Sequence, residues 1–107
     1  MNQKSPKPVV KIQPDTHVFM YERVTFRCEF KGEGDSVWIY DWYRDDNTFY
    51  PYHTYNSYHP YHPYYTTQEF SISFITNSYK GKYTCRGRRR SDNQISKRSD
   101  SVTLIVS

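Results

Sequence analysis

Three groups of side chains in this 107-residue sequence have types and spacings that could do chemistry: two cysteines, a tyrosine- and histidine-rich repeat, and a run of arginines. Cys28 sits in Val24-Thr25-Phe26-Arg27-Cys28 and Cys85 in Lys82-Tyr83-Thr84-Cys85-Arg86, where apolar and polar residues alternate, so both sulfurs point to the apolar side of a strand. With no Cys-x-x-Cys pair and no third ligand nearby, a buried disulfide is a simpler reading than a metal or redox site. Closing a loop of about 58 residues would stabilise the fold by about 4 kcal/mol on the chain-entropy model, and it implies an oxidising compartment. The bland alternative is two unpaired core cysteines in a cytosolic domain.

The second group is a triplet register. Tyr52, Tyr55, Tyr58, Tyr61 and Tyr64 recur at every third position through His53, His59, Pro60, His62 and Pro63. Residues before proline favour extended backbone, and a polyproline II path has three residues per turn, so the tyrosines would line one side at roughly 9 Å intervals. Tyr55, Tyr58, Tyr61 and Tyr64 are therefore candidate ligand contacts, because tyrosine offers a large amphipathic area at low side-chain entropy cost. The competing reading is a tolerated, expanded loop. His53, His59 and His62 raise metal binding, but no Asp, Glu or Cys between residues 49 and 68 completes a ligand set, so no metal and no cofactor is expected. A pH response in the endosomal range is another use of the same histidines.

The third group runs from Arg86 to Arg98 and holds Arg86, Arg88, Arg89, Arg90, Lys97 and Arg98 against one acid, Asp92, which more than accounts for the formal charge of +4. Guanidinium forks suit carboxylates, sulfates and phosphates, making Arg88, Arg89 and Arg90 candidate contacts to an acidic partner. A solvated hairpin whose charges maintain solubility is the alternative. No nucleic-acid motif occurs, so sequence-specific nucleic-acid binding is not expected. Enzymatic activity is not expected either: no Gly-rich phosphate loop, Gly-x-Ser-x-Gly turn or His-Glu-x-x-His pair is present.

The elements that must carry these groups are strands. No segment sustains a 3.6-residue period, whereas period-2 alternation recurs between turn-forming residues. Strands are predicted from Val9 to Gln13, Glu22 to Phe30, Val37 to Arg44, Thr48 to Tyr52, Glu69 to Ile75, Gly81 to Gly87 and Ser101 to Val106. Val24, Phe26, Cys28 and Phe30 share one face, as do Trp38, Tyr40 and Trp42, while Phe70, Ile72 and Phe74 are expected to point inward. Lys31 to Ser36 and Asp45-Asp46-Asn47 are turns. Seven or so short strands suggest an all-β two-sheet sandwich.

Size and composition agree with one such domain. A 13.0 kDa chain has one core, and its hydrophobic content of 36% is offset by aromatics at 19%, so the core should be thin and built from rings. Residues 1–7 read as a tail, 8–107 as the domain, and 52–67 as its Tyr/His/Pro loop. No apolar run approaches the roughly 20 residues of a membrane span, and no Asn-x-Ser/Thr site is present. Residues 1–8 hold no apolar stretch of the kind a secretory signal uses, which leaves either an intracellular protein or a mature segment with an added Met.

The order Cys28, Trp42, Tyr83, Cys85 resembles the immunoglobulin-domain pattern of a cysteine, a tryptophan and a Tyr-x-Cys strand. Pro8-Val9-Val10-Lys11-Ile12-Gln13-Pro14, Arg23-Val24-Thr25-Phe26-Arg27-Cys28, Asp41-Trp42-Tyr43-Arg44 and Gly81-Lys82-Tyr83-Thr84-Cys85-Arg86-Gly87 are similar to Fc-receptor-like ectodomains of leukocyte receptors, the bony-fish members included. The resemblance implies a Greek-key sandwich with Trp42 packed on a Cys28–Cys85 inter-sheet disulfide and Tyr83 forming a tyrosine corner. It also implies an extracellular immune-receptor module, attached to a membrane through another part of the parent receptor, that binds a protein or glycoprotein ligand where loops 31–36, 52–67 and 86–98 gather. The alternatives are an anionic glycan or lipid module, a structural spacer, or an engineered variant of such a domain. The sequence ends at Ser107, where the last strand should end, which predicts a domain taken from a multidomain receptor.

Two departures from the family pattern carry expectations of their own. Tyr79 stands where an acid usually supports the corner, which predicts a weaker corner. Met20-Tyr21-Glu22 stands where the turn usually contains Gly, which argues against a positive φ there and leaves Tyr21 and Tyr79 as exposed ring anchors.

Overall fold

The computed structural model describes residues 7–30, 37–49 and 67–107. These form strands β1 (Val9–Gln13), β2 (His17–Val18), β3 (Val24–Glu29), β4 (Trp38–Arg44), β5 (Asn47–Phe49), β6 (Glu69–Ile72), β7 (Gly81–Arg89) and β8 (Val102–Val106), with a single 3-10 turn at Asn77–Tyr79 before β7. One sheet has the order β1-β3-β6 and the other β2-β8-β7-β4-β5. All pairings are antiparallel except β2 with β8. Residues 31–36 and 50–66 lie outside the described residues, and with them the first turn, the end of the predicted Thr48 to Tyr52 strand and the Tyr/His/Pro loop up to Thr66, Tyr55, Tyr58, Tyr61 and Tyr64 included.

The period-2 patterns fold as read. In β3, Val24, Phe26 and Cys28 are fully buried while Thr25, Arg27 and Glu29 face out. Their inner face meets Trp42 of β4 and Tyr83 and Cys85 of β7, and the Cys28–Cys85 disulfide joins the two sheets with Cα atoms 6.1 Å apart. Trp42 is the cross-strand neighbour of Cys85, and its indole N–H donates to the Thr67 carbonyl at 2.9 Å. Rings do fill the core: Phe26 stacks on Phe70 at 4.7 Å, Trp42 meets Phe70 edge-on at 5.0 Å, and Tyr83 lies 4.8 Å from Phe26. Gly87 leaves room for two more, since a Cβ there would sit 3.0 Å from the Phe30 ring and 3.3 Å from Trp38.

Four expectations change. Phe74 is not inward. Strand β6 ends at Ile72, opposite Val24 at the start of β3, so no ladder continues the alternation. The backbone bends, Ile75 is held inward by bonds to Glu22 and Tyr21, and Phe74 is left 70% exposed. Second, the two-residue strand β2 was not anticipated, being too short to show a period. Third, β7 runs two residues past Gly87, because Arg88 and Arg89 still pair with Ile39 and Trp38 of β4.

Fourth, the turn at Tyr21 does adopt a positive φ, 73°, without glycine. Hydrogen bonds from Tyr21 N–H to Ile75 O (2.7 Å), Ile75 N–H to Glu22 O (2.9 Å) and Met20 N–H to Ser107 O (3.0 Å) impose it. Tyr21 itself is an exposed ring, whereas Tyr79 packs against the core. The corner is also formed without its usual acid. The Tyr83 hydroxyl donates to the Tyr79 carbonyl, and Asp45, from the β4–β5 turn, receives the Lys82 N–H at 2.9 Å. Asp45 and Asp46 have φ of 51° and 68°, the backbone of a two-residue type I′ hairpin.

These turns make two stability predictions. Tyr21→Gly removes the left-handed strain and little packing, so it should raise stability by about 0.5–1 kcal/mol and the melting temperature by a few degrees. Gly81→Ala should lower stability by about 1–3 kcal/mol, because Gly81 has φ of 149° and an added Cβ would meet the Asp45 carboxylate and the Arg44 side chain at 3.0 Å. Urea titration of both variants checks the signs.

Burial also pushes the Tyr83 phenol up to about 12. The folded state then keeps a proton that the unfolded chain releases near pH 10, so this contribution is complete below about pH 10 and is lost as pH rises towards 12. Stability of the wild type should fall more steeply across that window than that of Tyr83→Phe. At neutral pH the variant should be less stable by about 1 kcal/mol for the lost hydrogen bond. Parallel curves would contradict the assignment.

Candidate functional site

The residues that alternate with the core on β4 and β7 build a second constellation on the outer face. Because Trp42 and Cys85 point inward, Asp41 and Tyr43 of β4 and Thr84, Arg86 and Arg88 of β7 point out. The register places Asp41 directly across from Arg86 and Ile39 across from Arg88. Asp41 receives four N–H bonds: Arg86 Nε and Nη2 to Oδ2 at 3.2 and 3.1 Å, Arg88 Nε to Oδ2 at 3.3 Å, and Arg88 Nη2 to Oδ1 at 3.0 Å. All three side chains are mostly covered, which stiffens the group. The hydrogen bond to Asp41 holds the Arg88 guanidinium above its ordinary pKa, with burial opposing.

Below this clamp lies an arginine stack on one ring. The Arg98 guanidinium sits 3.8 Å from the Tyr43 centroid, Arg98 Nε donates to Thr84 Oγ1 at 3.1 Å, and Arg86 approaches the same ring at 5.8 Å. Arg98 also lies 3.7 Å from Asp46.

The three arginines singled out from the sequence diverge. Arg88 belongs to the outer clamp. Arg89 has the opposite parity: its guanidinium lies 5.8 Å from the Trp38 ring and bonds Asp92 at 2.9 and 3.0 Å and the Gln94 side chain. That contact lowers the Asp92 pKa, with the Gln94 backbone N–H adding to the effect. Arg90 is exposed, and its N–H donates to the Val37 carbonyl at 2.9 Å. Guanidiniums thus occupy both the outer face and the end of the sandwich, while the four candidate tyrosines lie outside the described residues.

Sequence reasoning missed Asp41 and Tyr43, and also Ser96 and Ser99, and it counted Arg98 in the basic run without assigning it a contact. The two serines are buried, and their hydroxyls accept the N–H groups of Gly87 and Cys85, each at 2.9 Å. They pin the basic segment to β7 where β8 has not yet begun. The alternation already implied an outward Asp41 and an outward Arg86. What it lacked was the pairing of β4 with β7, 45 positions apart at this contact.

A family model for the immunoglobulin domain matches residues 7–106. The chain belongs to the immunoglobulin-domain family. The second Ig-C2 domain of human Fc-receptor like A shares the immunoglobulin fold with it at a TM-score of 0.68 and 19% identity, covering 95% of this chain and 98% of that one. The structure of CHIR-AB1 is similar at 0.67 and 20%, covering 95% and 99%. No curated protein matches the sequence. In this immunoglobulin domain the expected disulfide, buried tryptophan and tyrosine corner are all present.

Asp41→Ala should cost about 1–3 kcal/mol, because it leaves two half-buried guanidiniums without their shared anion. Arg86→Ala should cost less, since Arg88 still satisfies Asp41. Denaturant unfolding of both single variants and the double variant measures the coupling; equal losses would mean that Asp41 does not bridge the pair.

Proposed function

We propose that this immunoglobulin domain is the extracellular ligand-binding module of an Fc-receptor-like immune cell-surface receptor, recognising an acidic protein or glycoprotein. The observation that carries the reading is the concentration of guanidinium and aromatic groups around β4 and the β7–β8 connection: Arg86, Arg88 and Arg98 with Tyr43, then Arg89 on Trp38, with Arg90 exposed beside them. Arginine and aromatic rings are the side chains most enriched at binding hot spots. The motif resemblance to Fc-receptor-like ectodomains supports the cell-surface setting, as does the fold shared with Fc-receptor like A. Tyr55, Tyr58, Tyr61 and Tyr64 are the proposed aromatic complement from the 52–67 loop.

A binding screen against immunoglobulins, host glycoproteins and sulfated glycans, at low and high salt, tests this function. For a protein hit, exchanging Arg88, Arg89 and Arg90 together for Ser should weaken binding about tenfold or more and flatten its salt dependence. Arg90→Ser alone separates recognition from the structural contacts of the other two. Unchanged affinity and salt dependence would end the proposal. Deleting residues 55–64 should abolish protein binding; undiminished binding of a sulfated glycan by that deletion would favour an anionic-ligand module instead.

A further inference from the structure

The charge of the two outer faces is unequal. Within β1, β3 and β6, Lys11 and Arg27 are balanced by Glu29 and Glu69, and Arg27 bonds both acids. On the opposite face, the outward positions of β4 and β7 set Lys82, Arg86 and Arg88 against Asp41, an excess of two positive charges among these residues (three minus one), and Arg98 of the β7–β8 connection lies beside them within 3.7 Å of Asp46. Asp41 is already engaged by two guanidiniums through their Nε and Nη2 atoms, and Nη1 of each carries two further N–H donors.

We propose that this outer face of β4 and β7 is a preformed docking strip for an extended acidic peptide segment of a protein partner, with Arg86, Arg88 and Arg98 meeting its carboxylates, Lys82 lengthening the strip, and Asp41 and Tyr43 holding the guanidiniums in place. The proposal rests on the ligand-binding reading above and gives it a surface and a partner chemistry.

Three observations carry it. Alternate residues of one strand lie roughly 7 Å apart, so Arg86 and Arg88 match carboxylates at alternate positions of an extended peptide, and Lys82 continues the row two such steps from Arg86, with Arg98 bonded to Thr84 in the gap between them. Planar guanidiniums pair with carboxylates through two parallel bonds, a geometry lysine lacks. Finally, the arginines are already ordered by Asp41 and the Tyr43 ring, so a partner has little side-chain entropy left to remove. The exposed hairpin cations Arg90 and Lys97 have no ion-pair partner among the described residues and lack that ordering.

The test uses a fluorescent oligoglutamate peptide, followed by anisotropy and by amide chemical shifts of the whole chain, with a heparin oligosaccharide as comparator. Arg86→Ser with Arg98→Ser removes two charges from the strip, and Arg90→Ser with Lys97→Ser removes two from the hairpin. The strip variant should weaken peptide binding about tenfold and the hairpin variant by less than about twofold, with shifts centred on Tyr43, Thr84 and Arg86. Equal losses would show a general field and overturn the proposal, as would no peptide binding at low salt. Loss in the hairpin variant alone would overturn the strip while leaving the loop-based function standing. Heparin binding without peptide binding would overturn it in favour of a glycan. If the strip variant fails to fold, Arg86→Lys with Arg98→Lys keeps the charge and should still weaken peptide binding; full retention would overturn the bidentate arrangement.

Discussion

The covalent link between Cys28 and Cys85 is the constraint on which the rest of the domain depends. It ties β3 of the small sheet to β7 of the large one at the centre of both, with Trp42 beside Cys85 and Phe26 two residues from Cys28. A chain with so few aliphatic residues cannot rely on many small contacts. It fills the space around the bridge with Phe26, Phe70, Trp42 and Tyr83, whose rings meet stacked, edge-on or tilted. Where a ring carries a polar atom, that atom is satisfied: the indole of Trp42 by Thr67, the phenol of Tyr83 by Tyr79.

The same strands that bury these rings display the charged face, and the two roles are inseparable. Asp41 precedes Trp42 and Arg86 follows Cys85, so fixing the inner pair fixes the outer pair one residue away. A run of basic residues that looks continuous in the sequence is thereby sorted by the pleat. Arg86 and Arg88 share one acid on the outside, Arg89 lies over Trp38 at the end of the sandwich, and Arg90 is exposed. Charge density along the chain and charge density on the surface are different quantities here.

The turns show the converse, where tertiary contacts overrule local preference. Tyr21 holds a left-handed backbone because its neighbours bond to Ile75 and Ser107, not because its own side chain favours it. The corner before β7 lacks a local acid, and Asp45 supplies one from a hairpin 37 positions away. Phe74 is expelled and Ile75 drawn in because β6 runs out of partner at Val24.

By itself the sequence determined the all-β class, the inward faces of β3, β4 and β7, the aromatic character of the core and the identity of the bridging cysteines. Each of these is written in a two-residue period or a residue type, which needs no knowledge of what lies opposite. Only the tertiary structure decided that Asp41 clamps Arg86 and Arg88, that Arg98 covers Tyr43, that Ser96 and Ser99 complete the edge of β7, and that Tyr21 tolerates its φ. Those depend on strand register and on hydrogen bonds between distant segments, and a one-dimensional pattern specifies which way a side chain points without specifying what it meets.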